Sequence, residues 1–233
     1  MKFLCYIFEV VMKKIDNIIY DNLDYFKAYL IKGEDGDILI DTGFSSSRNK
    51  LKRLLDKNNV KLIILTHAHL DHIWNVKYFK ERYGCQVAIS KDDLENLDNS
   101  IINSVPVNRY YNFSATFANY FMKRLKCEVF APDLLLEDNQ LLNLYGLNLK
   151  IINLKGHTKG SIGILYKDYI FVGDALVNRK LYVELPYQMQ NKADSLASVK
   201  KIIKLKPKLI FIGHENPITY EKLMASIMKI ENQ

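Results

Sequence analysis

A chain of 233 residues that is 48% hydrophobic and 25% charged carries enough apolar material for one substantial core and too much for wholesale disorder. The formal net charge is +7, but its lysines and arginines are spread along the chain without a dense basic block, so a solvated surface is expected rather than a nucleic-acid-binding stripe. Three cysteines, Cys5, Cys85 and Cys127, odd in number and far apart, exclude a disulfide framework and a CxxC metal knuckle and fit a reducing cytoplasm.

The opening MKFLCYIFEVVMKK holds Glu9 within its apolar run, is closed by Lys13 and Lys14, and lacks a small-x-small cleavage site. It reads as an edge strand, or as a short extension ahead of a second start at Met12, and not as a secretion signal. No segment approaches the ~20 apolar residues of a membrane span. A cytoplasmic protein with no membrane contact is the expectation.

NIIY (17–20), FKAYLIK (26–32) and DILID (37–41) read as strands, with GEDG as the turn before the last. Ser45 to Ser47 offer an N-cap to a helix whose stripe is Leu51, Leu54 and Leu55. KLIIL (61–65) is a short buried strand, residues 72–83 have a helical pattern, and QVAIS (86–90) is strand-like. Beyond the acidic KDDLENLD the pattern changes. Residues 100–127 carry Tyr110, Tyr111, Phe113, Phe117, Tyr120 and Phe121, with helical spacing from about Ser114 to Lys126, which predicts an inserted helical element placed as a lid. Hairpins follow at 141–154, around Gly146, and at 161–174. A helix over 193–205 carries Leu196, Val199, Ile202 and Ile203, a buried strand occupies 209–213, and Thr219 can cap a last helix with Leu223, Met224 and Ile227 inward. Strands and helices in this order predict a layered α/β domain, with sheets inside and helices outside. No linker divides it, so residues 1–233 are read as a single domain with a helical insert at about 100–127.

The chain has five histidines, and each falls where a strand gives way to a loop, the place where function concentrates on a rigid scaffold. Three lie in THAHLDH, which places His67, His69, Asp71 and His72 within six positions. The others are His157 in GHTKGS and His214 in IFIGHE; Asp174 follows Gly173 in the same manner. His67 and His69, two apart in an extended loop, can turn toward one ion, and His157 can complete a three-nitrogen face with an open position, as in catalytic zinc sites. Asp71 and His72 point to a neighbouring volume that His214 can join, and Asp174 can bridge the two. Two metals ~3.5–4 Å apart hold one hydroxide between them and clamp a developing oxyanion.

THAHLDH, GHTKGS, the GD at 173–174, the GH at 213–214 and the early DTG at 41–43 come in the order and rough spacing of the metallo-β-lactamase superfamily, which the chain resembles from about residue 15 to 216. The resemblance implies a four-layer αβ/βα sandwich with the metal site at one edge of two facing sheets. It implies His67, His69 and His157 as first-site ligands, Asp71, His72 and His214 as second-site ligands, Asp174 as the bridge and Asp41 as a supporting residue. Two divalent ions are expected, zinc foremost, with iron or manganese also suited to imidazole and carboxylate donors.

The bridging aspartate and the absent signal peptide argue against a true β-lactamase. The full ligand set looks more like glyoxalase II, acyl-homoserine lactonases and related hydrolases, and the expected reaction is attack of a metal-bridging hydroxide on an ester, thioester or lactone carbonyl of a small molecule, with Asp71 orienting the nucleophile or receiving its proton. Three departures tell against a glutathione thioester: Ser161 ends GHTKGS where glyoxalase II resembles GHTxGH, only 19 residues follow His214, and HIWN at 72–75 replaces a Gly-rich turn, so that Trp74 narrows or lines the pocket. Arg179 and Lys180 are candidate anchors for a substrate anion, and Tyr110, Tyr111, Tyr182 and Tyr187 candidate hydrogen-bond donors. The alternatives are a phosphodiesterase or nuclease of the same fold, a mononuclear iron thiol or persulfide dioxygenase, and a binding protein that keeps the fold without the chemistry.

Overall fold

A computed structural model of the chain describes residues 12–21, 26–99, 105–106 and 127–233. The ring residues of the expected lid, Tyr110 to Phe121, lie outside the described residues, as does the segment 1–11. Within 100–127 the described pair Val105–Pro106 (β7) is a strand, paired antiparallel with β15 (Gln188–Met189).

Seven strands form one sheet in the order β1 (Met12–Ile15), β2 (Ile18–Asp21), β3 (Tyr29–Ile31), β4 (Asp37–Ile40), β5 (Val60–Ile64), β6 (Gln86–Ser90) and β8 (Leu134–Leu136). The first four are antiparallel; β4, β5, β6 and β8 run parallel. The crossovers between parallel strands carry helices α1 (Arg48–Leu55), α2 (Leu70–Ile73), α3 (Val76–Tyr83) and α4 (Leu94–Asn99). A second sheet has the order β17 (Ile218–Thr219), β16 (Leu209–Phe211), β12 (Tyr169–Phe171), β11 (Ile162–Tyr166), β10 (Leu147–Asn153) and β9 (Leu141–Leu144). Its parallel pair, β12 with β16, is joined through a small ribbon, β13 (Val177–Asn178) with β14 (Val183–Glu184), and through α5 (Lys192–Leu205). Two short helices, α6 (Tyr220–Ala225) and α7 (Ile227–Glu231), follow.

Because successive side chains on a strand point to opposite faces, a continuously apolar strand is buried on both. In β4, Ile38 and Ile40 enter the core between the sheets while Leu39 faces α1 and α3; in β5, Leu62 and Ile64 divide from Ile63 in the same way. On the second sheet, Phe171 and Phe211 face inward, and Ile170 and Ile210 pack under α5 and the C-terminal helices. Four layers result, helix, sheet, sheet, helix, as expected for the αβ/βα sandwich. At the centre Phe171 stacks on Phe211 with ring centroids 4.7 Å apart, and Tyr29 packs against both.

Three local expectations are corrected. Residues 72–83 are not one helix: α2 ends before Asn75, whose backbone amide donates to the Thr42 hydroxyl at 3.3 Å and whose buried side-chain amide donates to the carbonyls of Thr42 (2.8 Å) and Phe44 (2.9 Å). The Ser45–Ser47 segment is a single 3-10 turn, and no serine side chain caps α1. The last helix breaks at Ser226, whose hydroxyl donates to the Lys222 carbonyl and accepts from the Val183 amide, each at 2.8 Å. Met224 consequently faces solvent, whereas Leu223 is buried, and Thr219 caps α6 as expected. Among the described residues no helix is long and apolar enough to cross a membrane.

Truncation of Phe171 to Ala removes the inner face of the stack. It should lower unfolding stability by about 3–5 kcal/mol in denaturant titration; a loss below about 1 kcal/mol would contradict this core assignment.

Candidate metal centre

The C-terminal ends of β4, β5, β12 and β16, together with the β10–β11 turn, converge on one edge of the sandwich. They deliver Asp41, the His67–His72 segment, Asp174, His214 and His157 respectively. The local backbone sorts the opening cluster. His69 is extended (φ −79°, ψ 148°) and precedes α2, so His67 and His69 share one side while Ala68 between them is buried in the helix-side core. The helical turn then swings Asp71 and His72 toward the second sheet. Two groups form: His67, His69 and His157, all buried, and Asp71, His72, Asp174 and His214, the donor atoms within each group lying within 4.8 Å of one another.

The seven expected ligand residues are thus brought together in the expected division. His157 Nε2 lies 2.8 Å from His69 Nδ1, and His157 Nδ1 donates to the Gln188 carbonyl, which leaves Nε2 as a bare acceptor. Asp174 spans the groups. Its Oδ2 is 3.0 Å from His214 Nε2 and 3.6 Å from His157 Nε2, and its Oδ1 is 3.3 Å from His72 Nε2. Asp71 Oδ2 lies 3.2 Å from His214 Nε2 and 3.7 Å from His72 Nε2. The side chains of Asp71, His214 and Asp174 retain 18%, 14% and 10% exposure, so the centre opens to solvent over this second group.

Asp41 holds both groups from beneath. It sits in a left-handed backbone conformation (φ 57°) unusual for a residue with a side chain. Its Oδ1 accepts the Thr66 amide at 2.8 Å, and its Oδ2 accepts the Thr66 hydroxyl and His72 Nδ1, both at 2.8 Å. With its proton given to Asp41, the Thr66 oxygen accepts from His67 Nδ1 at 3.1 Å. Nε2 of His67 and of His72 are therefore both turned away from Asp41; that of His67 is buried without a hydrogen-bond partner, and that of His72 faces the carboxylates of Asp174 and Asp71 at 3.3 and 3.7 Å. An orphaned imidazole nitrogen in a dry site is costly unless a cation meets it, and imidazole and carboxylate donors gathered as in the second group suit a divalent ion, so the donor set fits divalent ions in both groups.

Electrostatics separates the groups. Burial pushes His67 and His69 well below the ordinary histidine pKa, and neighbouring imidazoles add to the shift; burial lowers His157 as well. These three are neutral and ready to ligate. Burial also opposes charge on His72 and His214, but carboxylates outweigh it: Asp174, Asp41 and Asp71 hold His72 well above its ordinary value, and Asp174 and Asp71 carry His214 up to about 10. The same contacts reverse the effect of burial on the acids, bringing Asp71 down to about 2 and Asp174 well below the carboxylate range. In the metal-free protein protons hold the second group together.

Sequence reasoning missed Asp93. Fully buried, its Oδ2 accepts the Ala68 amide at 2.6 Å, and its Oδ1 accepts the Gly160 amide at 3.2 Å and the Asn96 amide at 2.7 Å. It ties the His67–His69 loop to the loop after His157. In the sequence it stood inside an acidic run, where nothing set it apart from Asp92. Gly213 was noted only as a neighbour of His214, yet a Cβ there would lie 2.1 Å from Asp174 Oδ1 and 2.7 Å from the His72 ring. Arg179 is not a free anion anchor: its Nε donates to buried Glu184 at 2.6 Å and its guanidinium lies over Tyr187. Ser161 is buried in a hydrogen bond with Thr158.

A profile of the metallo-β-lactamase superfamily matches residues 27–214. The chain belongs to that superfamily. A probable metallo-hydrolase of Methanocaldococcus jannaschii, MJ0888, is 32% identical over 211 residues, covering 84% of this chain and 93% of the relative. Hydroxyacylglutathione hydrolase 1 of Vibrio vulnificus is 30% identical over 86% of this chain and 63% of its own length. The chain spans 64% of the length of the mycobacterial relatives it matches at 28% identity, Rv2581c of Mycobacterium tuberculosis among them. In fold it is similar to the archaeal superfamily protein ST1585 of Sulfolobus tokodaii, with a TM-score of 0.68, 22% identity and coverage of 88% of this chain and 80% of the other.

Two outcomes follow for this superfamily member. At pH 7, filling the second group should expel about two protons, one each from His72 and His214, whereas filling the neutral trio should expel few; uptake by the second group therefore weakens as pH falls below about 10. Indicator-dye titration of the metal-free protein reads both, and equal release from the two groups would refute the asymmetry. Asp93→Ala orphans the Ala68 and Gly160 amides and should weaken metal binding at the trio by roughly 10–100-fold in chelator competition, with the second group affected less.

Proposed function

We propose that the chain is a metal-dependent hydrolase that binds two divalent ions, zinc by preference, and cleaves an ester, thioester or lactone of a small molecule. The observation that carries the reading is Asp174, a single carboxylate within reach of His157 on one side and of His72 and His214 on the other. His67, His69 and His157 are the proposed ligands of one ion; Asp71, His72 and His214 those of the other, with Asp174 shared. When bound, such an ion pair supplies a water acidic enough to lose its proton near neutral pH and a clamp for the charge that develops on a carbonyl oxygen.

The remaining roles fall to the chain itself. Asp71, the most exposed carboxylate of the centre, presents an acceptor oxygen at the mouth and orients the attacking water. Asp41 and Thr66 keep the ring protons of His72 and His67 on the far side from the centre, so neither ring can turn away without breaking a buried hydrogen bond. The carbonyl-hydrolase reading is supported by the similarity to a hydroxyacylglutathione hydrolase. The lysines and arginines are spread along the chain without a dense basic block, which favours a small-molecule substrate over nucleic acid.

Asp174→Ala should reduce bound metal from two ions to one per chain by elemental analysis and lower turnover of a responsive ester or thioester by roughly 10–100-fold or more. Two retained ions with undiminished turnover would sink the assignment of Asp174 as the shared ligand.

A further inference from the structure

The position where the sequence departs from the superfamily's Gly-rich turn carries the molecule's sole tryptophan, and its surroundings give it a use. Trp74 follows α2 directly, two residues after His72 and three after Asp71. Its ring packs on Phe44 with centroids 4.7 Å apart; Phe44 packs on Phe26 at 5.6 Å; Phe26 meets the His214 ring edge-on at 5.5 Å. Three aromatic rings thus follow one another by contact from a proposed metal ligand. All three are half-buried and not part of the sealed core.

The row is held in place from behind. Buried Asn75 donates to the carbonyls of Thr42 and Phe44, fastening the residue after Trp74 to the backbone of its ring partner, and its Oδ1 accepts Arg48 Nε at 2.8 Å. Phe26 pairs through its backbone with His214, and the Lys27 amide donates to the Gly213 carbonyl at 2.9 Å. A preorganised aromatic surface beside a polar reaction centre binds apolar matter at small entropic cost.

We propose that Phe26, Phe44 and Trp74 form a subsite for the apolar portion of the substrate, so that the enzyme selects esters or thioesters bearing an aliphatic chain over their acetyl counterparts. This rests on the carbonyl-hydrolase reading for its catalytic consequence, though binding at the subsite does not. Each methylene laid on the rings should improve affinity about fourfold.

Trp74 makes its own occupancy measurable, since the emission of the protein's tryptophan arises from this ring alone. The purified protein is titrated with acetate, butyrate, hexanoate and octanoate, both metal-free and metal-loaded. Hydrolysis of the p-nitrophenyl esters of the same acids is measured alongside. The expected result is a saturable change in emission whose midpoint falls as the chain lengthens, in both metal states. In the hydrolysis series the octanoyl-to-acetyl ratio of kcat/KM should be large for the natural chain and for Trp74→Phe, and should shrink at least tenfold in Trp74→Gly. Phe44→Ala, which keeps the fluorophore, should weaken octanoate binding without abolishing that of acetate. An emission blind to chain length, or an unchanged octanoyl-to-acetyl ratio in Trp74→Gly, overturns the subsite. Chain-length-dependent binding with no hydrolysis of any ester would instead retain the subsite and overturn the carbonyl-hydrolase reading.

Discussion

The centre depends on one carboxylate that is not among the proposed metal ligands. Asp41 grips His72 directly and His67 through the Thr66 hydroxyl, so two rings belonging to different groups are oriented by the same pair of oxygens. The geometry needs the aspartate in a left-handed backbone conformation immediately after β4. That strain is offset by three buried hydrogen bonds to its carboxylate. Because the Nδ1 proton of each ring is committed to this network, Nε2 is the nitrogen that faces the centre, a lone pair on neutral His67 and one on His72 only once its second proton has left.

Around that anchor the two groups differ in kind. The imidazole trio is sealed and neutral, a site that meets a cation with lone pairs and no competing protons. The aspartate–histidine group is more open and, without metal, holds itself together with charge on both rings and both acids. Asp174 belongs to both, and Gly213 keeps a space beside it that no side chain could share. The imidazole trio is the more deeply buried group, and Asp71, His214 and Asp174 of the other keep the greater exposure.

Much of this was legible in the chain. Strand runs ending at Thr66, Gly173 and Gly213 could be read directly, because short apolar segments bounded by turn residues have few other homes. The seven candidate ligand residues stood out by type and spacing, and two histidines two apart in an extended loop share a face; their full division between two ions was what the family resemblance implied. The misjudged helix over 72–83 shows where such reasoning fails. Its apolar periodicity is continuous, yet Asn75 is taken up by carbonyls some thirty residues away, and no local pattern records that. Ser226 breaks the last helix for the same reason, through a contact with Val183.

By itself the sequence determined the layered α/β pattern, the family likeness and the candidate metal donors, since these reside in periodicity and in residue types whose chemistry admits few substitutes. Only the tertiary structure decided the rest. It made Asp93 a buried clamp between two ligand loops when its neighbour Asp92 is not, and gave Arg179 to Glu184 in place of a substrate anion. It also turned Trp74 from an anomaly in a motif into the end of an aromatic row. Each of these outcomes is set by what approaches from a distant part of the chain, and hydrogen bonds and ring contacts over such separations exist only once the sheets have packed.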